Sequence, residues 1–213
     1  MTESTPELPV YPDEVPTLDS IRTNWLDLFY AAMFHPVRTF KSIAAEEQPG
    51  NRLLFYALLS VLLVSVTAPM VHIANVGGSL SGLVVSMPFS AMVGLLVWGF
   101  MALVISLLAY AFSGEARIRT FLILSGLATL PWIFMGPISL FKIGIGVTGV
   151  VLCALLGLII WLWTIVLFAL AIMTTYRMSA ERVLIVLATP FAMMMVFIGW
   201  IVGFVRNIIH LTP

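Results

Sequence analysis

What most limits the structures open to this chain is its hydrocarbon character from Leu53 onward. Between Leu53 and Val205 the charged residues are Glu115, Arg117, Arg119, Lys142, Arg177, Glu181 and Arg182, all of them in or next to short polar breaks. A helix rises 1.5 Å per residue, so about 20 apolar residues cross a hydrocarbon core ~30 Å thick. The pattern predicts five spans, at about 53–75, 84–112, 120–141, 148–174 and 182–206. The breaks between them are Asn75–Ser79, Ser113–Arg119, Lys142–Gly146 and Tyr176–Glu181. With 61% apolar and 9% charged residues the composition is far from that of a water-soluble domain, where ~25% are charged. Backbone inside a bilayer must satisfy its own hydrogen bonds. The expected fold is therefore all-α, a polytopic bundle of five transmembrane helices.

Charge counted by region adds an orientation. Arg22, Arg38, Lys41 and Arg52 precede the first span, Arg117, Arg119 and Arg177 fall in the second and fourth breaks, and Arg182 adjoins the fourth. The opposite side receives only Lys142 and Arg206. The positive-inside rule then places the N-terminus in the cytoplasm and the C-terminus on the outer side of a cell membrane. Residues 1–20 carry Glu3, Glu7, Asp13, Glu14 and Asp19 without a Lys or Arg, and four prolines break any periodicity. This reads as a disordered, acidic, Pro-rich cytoplasmic tail. Ten basic against ten acidic residues exclude a basic nucleic-acid binder, and no nucleic-acid partner is expected.

Residues 21–48 are neither tail nor span. Asp19 or Ser20 can cap a helix over 21–34, with Ile21, Trp25, Leu28, Phe29 and Ala32 on one face. Pro36 must interrupt it, and is well placed as the first residue of a second short helix. There Val37, Phe40 and Ile43 oppose Arg38, Lys41 and Ser42. Aromatics opposite cations suit a helix pair lying in the headgroup plane, with Trp25, Phe29 and Phe40 as interfacial anchors. Packing of the pair on the cytoplasmic end of the bundle is the alternative.

The succession Trp25 … His35-Pro36-Val37-Arg38-Thr39-Phe40 … Ile43 ahead of a first span resembles prokaryotic-type Yip1-domain membrane proteins. So do Arg119-Thr120-Phe121 followed by Pro131, the run from Trp161 to Thr164, and Tyr176-Arg177-Met178-Ser179-Ala180-Glu181-Arg182. The resemblance spans about residues 25–205 and implies five transmembrane helices with a cytosolic N-terminus. Eukaryotic members associate with Rab GTPases and with one another in vesicle traffic. Their Asp-Leu-Tyr-Gly-Pro motif is only echoed by Asp27-Leu28-Phe29-Tyr30-Ala31, and Val183 stands where a small residue commonly follows the late arginine. These departures argue against Rab binding.

Chemistry is nearly absent. No Asp, Glu, Lys or Arg lies in the middle of a span, where ion-coupled transporters keep them. No GxSxG hydrolase, HExxH metalloprotease or Walker-type sequence occurs. No enzyme, catalytic residue, cofactor or metal is expected; a site formed by His72, His210 and Cys153 would lack a carboxylate, and a satisfied interfacial histidine is commoner. Pro69, Pro88, Pro131, Pro137 and Pro190 should bend helices, while Gly94, Gly99 and Gly199-x-x-x-Gly203 allow close packing. The remaining candidate is a cytoplasmic docking surface of Arg38, Lys41, Glu115, Arg117, Arg119, Arg177, Glu181 and Arg182, facing protein partners or lipid headgroups. The expected function is a non-enzymatic membrane scaffold or adaptor, in contact with the lipid bilayer and with other membrane proteins or itself. The alternative is a small permease, channel or lipid-moving protein with a cavity between kinked helices. Cysteines introduced at Ser79 and Ser113 should label from opposite sides of the membrane, Ser79 from outside; labelling of both from one side would overturn the topology.

Overall fold

The computed structural model describes residues 24–46, 49–76, 80–115, 117–190, 192, 193 and 195. The acidic tail, the Asp19 or Ser20 cap and most of the expected fifth span lie outside the described residues. Helices α1 (Trp25–Phe34) and α2 (Pro36–Ala45) come first, followed by α3 (Asn51–Val76), α4 (Leu80–Ser113) and α5 (Ile118–Ala128). A 3₁₀ turn (Leu130–Phe134) leads into α6 (Met135–Tyr176), and residues 180–190 begin α7. Among the described residues four segments are long and apolar enough to cross a membrane: Asn51–His72, Val84–Ser113, Ile118–Ser139 and Val147–Tyr176.

Local chemistry sets several boundaries. Asn24 starts α1, its side-chain oxygen accepting from the Leu26 N–H at 3.3 Å. His35 leaves the helical region at φ −129°, ψ 49°, because the ring of Pro36 crowds the residue before it. Pro36 then opens α2, where its missing N–H costs nothing. At Pro131 the third span changes from α to 3₁₀, since an α-helical ladder has no donor there. Thr129 compensates locally, its hydroxyl donating to the Gly126 carbonyl at 2.7 Å.

Helix α6 is 42 residues long and would measure about 63 Å if straight, twice the thickness of the hydrocarbon core. It is not straight. The Cys153 thiol lies 3.0 Å from the Ile138 carbonyl oxygen, and the Met135 methyl lies 3.5 Å from where a Cβ on Gly157 would be. In a rod the first pair would be ~22 Å apart. The start of α6 therefore lies alongside its middle, and the chain returns to the end at which α5 began.

The core sits in the half of the bundle near that end. Leu53 and Ala57 of α3, Ala102, Ile105 and Ala109 of α4, and Leu167, Ala171 and Ile172 of α6 close around Phe121, Ile123, Leu124 and Leu127 of α5. In the most apolar stretch of the third span 56% of the residues are buried, in those of the second and fourth only 17%. Val85, Phe89, Leu96, Phe100, Leu155, Ile159 and Leu162 point outward. An apolar surface this continuous has lipid as its natural solvent. Buried hydroxyls mostly bond within their own helices, as Ser60 does to Tyr56 and Ser125 to Leu122. Ser90 instead crosses from α4 to the Ser65 carbonyl of α3, at 2.7 Å.

Small residues set the helix spacing. Lipid tails are as apolar as leucine, so membrane helices associate through close packing more than through the hydrophobic effect. A Cβ on Gly126 would sit 2.8 Å from the Ala57 Cβ and 3.0 Å from the Ala57 carbonyl oxygen. Gly94 is equally tight against Ser65. Gly99, expected to share this role, faces open space. Gly199 and Gly203 lie outside the described residues. Gly126→Ala should thus cost about 1–3 kcal/mol through overpacking, whereas Gly99→Ala should leave stability unchanged. Thermal unfolding of the detergent-purified variants checks this, and equal midpoints for the two would refute the packing role of Gly126.

Candidate functional site: the polar end of the bundle

The N-terminus of α3, the C-terminus of α4, the N-terminus of α5 and the C-terminus of α6 all meet at one end. Two arginines fasten it. The Arg117 guanidinium donates to the Ala44 carbonyl at 3.1 Å, and its Nε lies 3.3 Å from a Glu115 carboxylate oxygen. Ala44 belongs to the last turn of α2, where carbonyls lack helical partners and the dipole favours a cation. No basic residue of α2 occupies that turn, so Arg117 supplies the charge from the neighbouring helix. Arg119 donates to the Asn51 side-chain oxygen at the first residue of α3.

The eight residues expected to form a docking surface therefore divide. Arg117, Arg119 and Glu115 are engaged in holding the polar end together. Arg38, Lys41, Arg177, Glu181 and Arg182 are exposed. Lys41 and Arg177 come together on a groove between α2 and the end of α6, which holds about 500 Å³. Val37, Ala44, Ala45, Leu170 and Met173 form its apolar lining. Arg177 has φ +50°, in the left-handed region, and is the one non-glycine residue with positive φ among the described residues.

The expected anchors are placed differently from the sequence pattern. Phe40 is wholly buried and Ile43 nearly so, packed in the core rather than turned to the headgroups. The reason is that α2 docks on α6 through Phe40, Ile43 and Ala44, the inner face of its amphipathic pattern. Trp25 and Phe29 are half-buried, with ring centroids 5.6 Å apart, and Phe29 leans on Phe134 of the 3₁₀ turn at 6.3 Å. The outward side chains are Leu26, Tyr30, Phe34 and Val37. Tyr30 and Phe34 contact each other at 4.7 Å. The signal for this stripe was present as the i, i+4, i+8 series Leu26, Tyr30, Phe34. The groove and the left-handed Arg177 had no local sequence signal, because both depend on how α2 meets α6.

Among the described residues no group of three His, Cys, Asp or Glu is placed to hold a metal. His72 is exposed, Cys153 is taken up by the Ile138 carbonyl, and His210 lies outside the described residues.

Helices of this length and outward apolarity, with charge gathered at one end, define a multi-pass α-helical membrane protein. The Yip1 domain matches residues 30–201, and the chain belongs to the Yip1 family. No curated protein and no solved structure matches it.

If Arg117 fastens α2, Arg117→Ala should remove about 1 kcal/mol of local stability, as expected for a partly exposed charge-assisted bond. Amide exchange over Thr39–Ala45 should then accelerate about fivefold, with exchange in Phe121–Ala128 unchanged. Unaltered protection in α2 would show that Phe40 and Ile43 alone hold it.

Proposed function

We propose that this Yip1-family protein is a non-enzymatic membrane scaffold, oriented with the polar end in the cytoplasm and docking partners there. The observation that carries the reading is the division of labour among the charged residues. Arg117 and Arg119 close the bundle, while Arg38, Arg177, Glu181 and Arg182 stand exposed beside them. The surface below is hydrocarbon and commits the rest of the molecule to lipid. Eight of the ten basic residues fall on the polar side of a five-span topology, which supports the cytoplasmic orientation. In this reading α1 lies at the membrane boundary, with Leu26, Tyr30 and Phe34 toward the acyl chains, and Trp25 and Phe29 braced against the bundle. A mixed-charge surface of this kind suits polar, specific and reversible contacts.

The test is a photo-crosslinking amino acid placed at Arg38, Arg182 or Val151 of the full chain in its native membrane. Arg38 and Arg182 should give discrete protein adducts, while Val151, on the outward face of the fourth span, should give lipid adducts. Absence of protein adducts at both charged positions, in chains that insert normally, would overturn the scaffold reading.

A further inference from the structure

We propose that the groove between α2 and the C-terminal end of α6 binds one anionic phospholipid, its phosphate between Lys41 and Arg177 and one acyl chain along the apolar floor. The inference rests on the cytoplasmic, headgroup-level placement of the polar end given above. Four observations lead to it.

The groove is amphipathic along its length. Arg177 stands at the top of α6 and Leu170 is seven residues lower, about 10 Å deeper along the helix. Between them the floor is Met173 and the aliphatic part of Thr174, whose hydroxyl is turned back to the Leu170 carbonyl at 2.7 Å. Val37, Ala44 and Ala45 form the opposing wall. A cationic rim above a hydrocarbon channel of that depth fits a lipid and suits neither a soluble anion nor a folded peptide.

The charge is one-signed. Among the described residues, Lys41 and Arg177 both line the groove and no carboxylate does. Among the described residues neither cation has a hydrogen bond or ion pair. By contrast, Arg117 and Arg119 nearby are both engaged.

The volume admits part of the occupant. About 500 Å³ takes a phosphate and one acyl chain, and leaves the second chain to the bilayer.

The backbone at Arg177 favours a different residue. A left-handed residue after a helix is usually Gly or Asn, because a Cβ there costs about 1–2 kcal/mol. An arginine held at φ +50° is therefore a locally unfavourable choice that puts a guanidinium on the groove rim. Arg177→Gly should relax the backbone and at the same time remove the charge.

The experiment uses the full chain purified in neutral detergent and titrated with dioleoyl phosphatidylglycerol or dioleoyl phosphatidylcholine, with bound lipid counted by native mass spectrometry. The wild-type protein should retain one phosphatidylglycerol in preference to phosphatidylcholine. Lys41→Gln and Arg177→Gly should each weaken phosphatidylglycerol about fivefold, and together they should erase the preference. Arg177→Gly should unfold at the same or a higher temperature than the wild type, so its loss of lipid cannot be read as misfolding. Ala45→Trp, which fills the channel and keeps both cations, should lower the affinity for either lipid. Glycerol 1-phosphate, a headgroup without chains, should not compete. Equal binding of the two lipids by the wild type, an undiminished preference in the Lys41 and Arg177 variants, or unchanged binding by Ala45→Trp would each overturn the site. Crosslinking at Arg38 and Arg182 is read independently, so an empty groove with intact protein adducts would reject the lipid site alone.

Discussion

The close approach of Gly126 to Ala57 sets the distance at which α5 and α3 meet, and much of the described bundle follows from that distance. With hydrocarbon on the outside there is little hydrophobic gain in bringing two helices together, so contact density must supply the stabilisation. A glycine facing an alanine brings the two backbones together and places Phe121, Ile123, Leu124 and Leu127 within reach of α3, α4 and α6 together. The third span thereby becomes the most buried of the four. Its break into a 3₁₀ turn at Pro131 lies just beyond this contact. Helix α6 then starts in a new direction, doubles back, and delivers Tyr176 to Phe121 at a ring-centroid distance of 5.8 Å.

Where the helices end, electrostatics replaces packing. The last turn of α2 has carbonyls without helical donors, and Arg117 meets one of them from the start of α5. Arg119 ties the start of α5 to the start of α3 by donating to the Asn51 side-chain oxygen. These two bonds tie α2 and α3 to the start of α5, while the packing of α2 on α6 leaves the groove that Lys41 and Arg177 flank. The candidate site is a by-product of how the bundle is closed.

The parts of this structure governed by local rules were legible in the sequence. Long apolar runs announced membrane-spanning helices, Pro36 announced the change from α1 to α2, and the series from Trp25 to Arg182 announced the family. Relations between helices were not legible. An alternation of apolar and basic residues in 36–45 marks two faces without saying which is covered, and Phe40 proved to belong to the protein interior rather than the membrane surface. Gly94 and Gly99 look alike in one dimension, yet only Gly94 has a neighbour. Among the basic residues of the polar end, sequence offered no way to separate Arg117 and Arg119, which are engaged, from Lys41 and Arg177, which are free. That distinction requires knowing which carbonyl or side-chain oxygen each one reaches.

The uneven burial of the spans also bears on how such a chain can drift over evolutionary time. On the second and fourth spans few side chains are buried, and the outward ones meet lipid, which asks for hydropathy and nothing about shape. Leucine, valine, phenylalanine and methionine are close to interchangeable there. The shape requirement is concentrated in the stretch from Thr120 to Pro131, where nearly every side chain is enclosed. Two descendants of one ancestor could therefore lose almost all recognisable identity over their outer helices and still superimpose through a dozen central residues.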